Sequence, residues 1–120
     1  MIKIKEVNGK KIVNALSFDI KLMIDGEVID IPQSGVKFSI IENIEKKPGI
    51  FDSKISFGEI VLNIDEKEIP KDSIVIVPKL VGAIIQYQEK KYPFEIGIVA
   101  GYLRDEAGKK KGVTYFALLK

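Results

Sequence analysis

The chain has 120 residues, a formal net charge of +2, 46% hydrophobic residues and 30% charged residues. That is the balance of one globular domain, with too much apolar content for a disordered tail. It contains neither cysteine nor histidine, which excludes disulfides, thiol nucleophiles, thiolate metal sites and histidine-based hydrolytic triads. No apolar run reaches the ~18 residues of a membrane span. The Met1–Lys5 start lacks the apolar stretch of a secretory signal, so a cytoplasmic protein is expected.

Period-two alternation between turn dipeptides dominates the chain and reads as strands. Ile2 and Ile4 alternate with Lys3 and Lys5, and Asn8-Gly9 supplies a turn. A long run from Ile12 to Ile24 follows, with Leu16, Phe18, Ile20, Leu22 and Ile24 on one parity. Asp25-Gly26 then closes a tight hairpin into Glu27–Ile31, because Asp-Gly between alternating runs is a strong hairpin signal. The period changes next. Phe38, Ile41 and Ile44 are spaced by three, and Pro48-Gly49 ends the segment. A short amphipathic helix over Val36–Lys47 is expected, with its β-branched content leaving a strand as the alternative. In the helical reading Phe38, Ile41 and Ile44 face the sheet, against Phe18, Ile20, Leu62 and Ile76.

Strand patterning returns at Ile60, Leu62 and Ile64, and Asp65-Glu66-Lys67-Glu68 forms a charged turn. Ser73–Val77 is an almost continuous apolar run, the mark of a central strand, which Pro78 ends. Residues 79–90 satisfy both periods. Gly82 weakens a helix by about 1 kcal/mol relative to alanine, so a strand is favoured. Phe94–Leu103 and Val113–Leu119 read as a terminal hairpin across the polar loop Arg104–Gly112.

This order resembles that of a β-grasp (ubiquitin-like) domain. Glu27–Pro32 looks like the second strand of the small sulfur-carrier proteins. Ser39–Ile44 up to Pro48-Gly49 is similar to their helix, and Ile60–Ile64 to the strand that follows it. Lys71–Ala83 also resembles the tail-assembly proteins of lambda-like phages, whose chain continues beyond a Gly-Ala. The resemblance covers residues 17–83. It implies a mostly-β (α+β) fold: a β-grasp-like sheet with one short helix, an extra N-terminal strand and a C-terminal β-hairpin. The whole of residues 1–120 is then a single domain, with 17–83 as its core and 84–120 as a C-terminal β extension supplying an added sheet edge.

The carriers need a free C-terminal Gly-Gly, whereas here Gly82-Ala83 is followed by 37 residues. The expected function is therefore a non-catalytic interaction or assembly module, encoded by a phage or other mobile element. It would meet a protein partner, or itself as a homo-oligomer, through sheet edges. One alternative is a ubiquitin-like or sulfur-carrier precursor processed at Gly82 and Ala83. Another is an OB-like barrel that binds single-stranded nucleic acid, disfavoured by the small net charge. Arg104, Lys109, Lys110 and Lys111 are the candidate partner contacts, against a plain solvated hairpin tip. Asp65, Glu66 and Glu68 match no metal-loop spacing. No carboxylate pair sits in an apolar context that would tune it for acid–base work. Catalytic residues, metal ligands and cofactors are expected to be none.

Overall fold

The computed structural model describes residues 2–120. Seven strands form one sheet: β1 (Lys5–Val7), β2 (Lys10–Asn14), β3 (Ile20–Ile24), β4 (Glu27–Ile31), β7 (Ser73–Ile76), β8 (Glu95–Arg104) and β9 (Lys110–Leu118). Two more, β5 (Phe38–Glu45) and β6 (Lys54–Leu62), pair only with each other. Among the described residues there is one α-helix, α1 (Lys79–Tyr87), which connects β7 to β8. The mostly-β class with one short helix is therefore observed.

The sheet runs in the order β1-β2-β7-β8-β9-β3-β4. Strands β2, β7 and β8 are parallel neighbours, and β8–β9 and β3–β4 are antiparallel hairpins. Beyond β4 the chain returns to the end of β2, where Gln33 bridges Asn14 and the Ser34 amide donates to the Asn14 carbonyl at 2.9 Å. The sheet is thus barrel-like, with β1 outside the closure. The two tight turns use the same geometry: Asn8 and Asp25 both have φ of 50°, and Gly9 and Gly26 both have φ of 78°. Positive φ at both central positions matches the right-handed twist of the flanking strands, so Asn-Gly and Asp-Gly serve well there.

Two apolar clusters lie on opposite sides of this sheet. Ile12, Leu16, Ile20, Leu22, Ile31 and Ile76 belong to one. Val13, Val75, Val77, the α1 residues Val81, Ile84 and Ile85, and Phe38 and Ile60 from the bases of β5 and β6 belong to the other. The continuous run Ile74-Val75-Ile76-Val77 follows from this, because alternate side chains enter different clusters. Buried Asn14 fastens the closure: its Nδ2 donates to the Phe18 and Ile31 carbonyls at 2.9 and 3.1 Å, and its Oδ1 accepts from the Leu16 amide at 2.9 Å.

Several expectations are corrected. The segment read as a helix, Val36–Lys47, holds strand β5, paired with β6 from Phe38↔Leu62 to Glu45↔Lys54. Isoleucine is stiff at χ1 and fits a pleated surface better than a helix. In the strand it is Phe38, Ile40 and Ile44 that share a side, with Ile41 on the opposite one, and Pro48-Gly49 serves a hairpin tip as well as a helix end. Ile41 and Ile44 are exposed instead of buried against the sheet, and Phe18 is exposed too.

Residues 79–87 form α1, where a strand was favoured. Parallel β7 and β8 require a crossover, and a helix supplies it. Gly82 suits that helix because a Cβ there would stand 2.9 Å from Ile98 Cγ2. The missing side chain lets α1 lie close on β8. The run Ile12–Ile24 is two strands, β2 and β3, broken by Ala15–Asp19. Finally, residues 84–120 are no edge addition: β8 and β9 lie between β7 and β3, inside the sheet.

Candidate interaction surface

Strands β5 and β6 leave the body as a two-stranded arm. Its base is tied down at several points. Asn63 Nδ2 donates to the Gly35 carbonyl and its Oδ1 accepts from the Lys37 amide, both at 2.8 Å. From the end of α1, Gln88 Nε2 donates to the Gly58 carbonyl at 2.8 Å, and Lys90 Nζ to the Ile60 carbonyl at 3.3 Å. Toward the tip the bonds are the arm's own: the Lys47 amide donates to Ser53 Oγ at 2.9 Å, and Lys47 pairs with Glu45 at 3.2 Å.

The arm has two unlike faces. Directly opposed residues of an antiparallel pair share a face, so the pairs Phe38↔Leu62, Ile40↔Ile60, Glu42↔Phe57 and Ile44↔Ile55 line one side. The pairs Ser39↔Val61, Asn43↔Ser56 and Glu45↔Lys54 line the other, which is mainly polar but also exposes Val61. The first side begins in the core, with Phe38 and Ile60 buried, and then runs out into solvent. Ile44 is 63% exposed, Ile55 54% and Phe57 42%, and at the tip Ile50 and Phe51 are each 89% exposed. Apart from Glu42, the part of this side that reaches solvent is apolar.

The dimensions agree. The accessible surface is 8375 Å², against about 6,500 Å² for a compact monomer of this mass. The radius of gyration is 16.5 Å, against about 14 Å for a compact chain of this length.

The basic residues singled out in the sequence do not act as one group. Arg104 Nη1 donates to the Gly108 carbonyl at 2.8 Å, and the Lys109 amide donates to Asp105 Oδ1 at 2.9 Å, so both close the β8–β9 loop. Lys110 instead folds over Tyr102, its Nζ 4.0 Å from the ring centroid, with Lys79 at 5.9 Å. Lys111 borders a shallow depression with exposed Phe18, Lys21 and Tyr102. Patterning gave no warning of the Lys79–Tyr102–Lys110 grouping, since α1 and the β8–β9 hairpin meet there only through the fold. Gly82 is buried in α1, and Ala83 faces solvent beside it.

Tyr92 packs between Phe38 (centroids 5.8 Å apart, edge-on) and Phe94 (5.3 Å, stacked), which places these aromatics in the core rather than on an open stacking face. Its hydroxyl is buried without a hydrogen-bond partner. Burial, with the nearby Glu66 charge, pushes that phenol up to about 12. In the charged turn, Asp65 Oδ1 accepts from the Lys67 amide at 2.9 Å and caps the short 3-10 helix Glu66–Glu68. Among the described residues no three acidic side chains gather in a metal-binding group, and no helix is long and apolar enough to cross a membrane.

Comparison with protein families, with curated proteins and with solved structures returned no match.

Proposed function

We propose that this chain is a non-catalytic assembly module that docks onto another protein subunit through the β5–β6 arm. One observation carries the reading: the side of the arm that starts in the core at Phe38 and Ile60 runs on uncovered through Ile44, Ile55 and Phe57, and the tip beyond it exposes Ile50 and Phe51. Two strands alone are marginal in water, so an arm this long gains stability when a partner covers it. The resemblance of Lys71–Ala83 to tail-assembly proteins supports the same role, in a phage or other mobile element, while the helix that the wider resemblance implied at Ser39–Ile44 is strand β5. The processed-precursor reading is set aside, since a cut after Ala83 falls within α1 and removes β8 and β9 from the middle of the sheet.

The test is co-expression with the products of the neighbouring genes. A stable complex is expected with the native chain, and its loss with Ile50→Asp/Phe51→Asp at unchanged melting temperature. A complex indifferent to that double substitution would refute docking through the arm.

A second reading rests on the barrel-like sheet and on Lys79, Lys110, Lys111 and Phe18 around Tyr102, which suits a single-stranded nucleic acid. With a net charge of +2, its affinity at physiological salt should lie in the nonspecific range, about 10⁻⁴–10⁻⁶ M. Nanomolar retention on single-stranded DNA would rank it first.

A further inference from the structure

We propose that the end of the barrel-like sheet around Tyr102 binds a single nucleotide, its phosphate monoester between Lys79 and Lys110 and its base against Phe18. The inference rests on the second reading above, narrows a strand to one phosphorylated nucleoside, and is independent of the arm.

Two depressions, of about 230 and 330 Å³, share Phe18, Tyr102 and Lys110 and together form a groove. It lies where parallel strands run out: Leu16–Phe18 follow β2, Val77–Lys79 follow β7, and Tyr102 is near the end of β8. Ligands favour that end of parallel strands and the mouths of barrels. The floor is apolar. Leu16, Val99 and Val113 are buried members of the cluster that holds Ile20 and Ile31. Phe18, 53% exposed, stands at the rim with Tyr102. A base stacks on such a ring whatever its identity, because every base has a π-face.

The charges at the rim call for an anion. Lys110 Nζ is 4.0 Å and Lys79 Nζ 5.9 Å from the Tyr102 ring centroid, and Lys111 borders the same groove. Among the described residues, ion pairs form at Lys11, Lys21 and Lys47 and at none of these three. The carboxylate at the groove, Asp19, already accepts from the Gln33 amide at 3.1 Å. Two ammonium groups drawn to one ring repel each other. A phosphate monoester, with a charge of about −1.5 to −2 at pH 7, offsets both, where a carboxylate offsets one. The footprint is one nucleotide long: a strand needs successive stacking rings, and the aromatics bordering the groove are Phe18 and Tyr102.

Calorimetric titration of the full chain separates these parts. The probes are adenosine monophosphate, inorganic phosphate, adenosine, and thymidylate octamers with and without a 5′-phosphate. Adenosine monophosphate should bind at least about tenfold more tightly than phosphate or adenosine, since each of those makes only one of the two contacts. Lys110→Gln should weaken it about tenfold and Phe18→Ala about fivefold or more. Both side chains are exposed, so melting temperatures should not change. Lys46→Gln, the same charge change on the arm, should leave binding unaltered. A phosphorylated octamer that binds as tightly as adenosine monophosphate identifies a free nucleotide as the ligand. A tenfold preference for that octamer identifies a strand end, and either result supports the inference. Adenosine monophosphate that binds no more tightly than phosphate, or loses as much to Lys46→Gln as to Lys110→Gln, would overturn it. So would octamers that bind equally well with and without the 5′-phosphate, a result that leaves the strand reading standing. If neither the octamers nor adenosine monophosphate bind, both readings fail and the arm's role is untouched.

Discussion

Hairpins β3–β4 and β5–β6 share a local grammar and have opposite fates. Both are antiparallel and both set apolar residues on one side, but only the Asp25-Gly26 turn is announced as a hairpin by the sequence. The β3–β4 hairpin is five residues a side with the two-residue turn Asp25-Gly26, and β9 pairs along its flank at Leu22↔Val113. Its apolar side, Ile20, Leu22 and Ile31, is buried in the cluster that also holds Ile12, Leu16 and Ile76. The β5–β6 hairpin is longer than the element that covers it. Helix α1 reaches only its base, so Phe38 and Ile60 are core while Ile44, Ile55 and Phe57 are surface. The same side chain in the same kind of strand stabilises the fold in one hairpin and remains available for binding in the other. Burial is decided by what packs across the sheet.

Substitutions test that division, beginning with the largest effect. Ile20→Ala or Ile31→Ala should cost about 2–5 kcal/mol in chemical denaturation, as buried isoleucine truncations do. Ile44→Ala and Ile41→Ala should stay within about 0.5 kcal/mol, as surface changes do. A loss above 2 kcal/mol at Ile44 would mean that the arm folds back on the body and that the division fails.

Asn14→Ala should come next. It leaves the Leu16 amide and the Phe18 and Ile31 carbonyls without their side-chain partner, and one unsatisfied buried group costs about 1–3 kcal/mol. Selective loss of amide-exchange protection around Ile31–Val36, where the barrel closes, would locate the damage.

Gly82→Ala sets a helix gain of up to about 1 kcal/mol against a Cβ placed 2.9 Å from Ile98. A modest net destabilisation is expected, rescued by Ile98→Val only if Ile98 Cδ1 rather than Cγ2 were the obstacle. No rescue is therefore the expected result, and a double-mutant cycle reads it directly.

The smallest effect belongs to Tyr92. Tyr92→Phe keeps the packing against Phe38 and Phe94 and removes an unpaired hydroxyl, so stability at neutral pH should be unchanged or raised by about 1 kcal/mol. The native phenol ionises near 12, above its usual 10. The unfolded chain therefore loses that proton first, and the contribution present below pH 10 declines as pH rises from 10 to 12. Tyr92→Phe should remove this part of the alkaline decline. A native spectrophotometric titration in which Tyr92 ionises near pH 10 would contradict the assignment.

Much of this was legible in the residues themselves. Asp25-Gly26 announced a hairpin, and Ser73–Val77 announced a central strand. The terminal hairpin stood out as two apolar stretches flanking a Gly-bounded polar loop. Turn chemistry and period-two alternation are local, and they persist whatever surrounds them. Where a segment satisfied two periods, tertiary structure decided. Val36–Lys47 became a strand because β6 offered it a pairing partner, and Lys79–Tyr87 became a helix because β7 and β8 needed a parallel crossover. The placement of β8 and β9 between β7 and β3 is likewise invisible in sequence order. So is the exposure of the arm. Ile44 and Ile20 are the same residue type, each on a strand, and only the packed structure separates a side chain that has a neighbour from one that still lacks it.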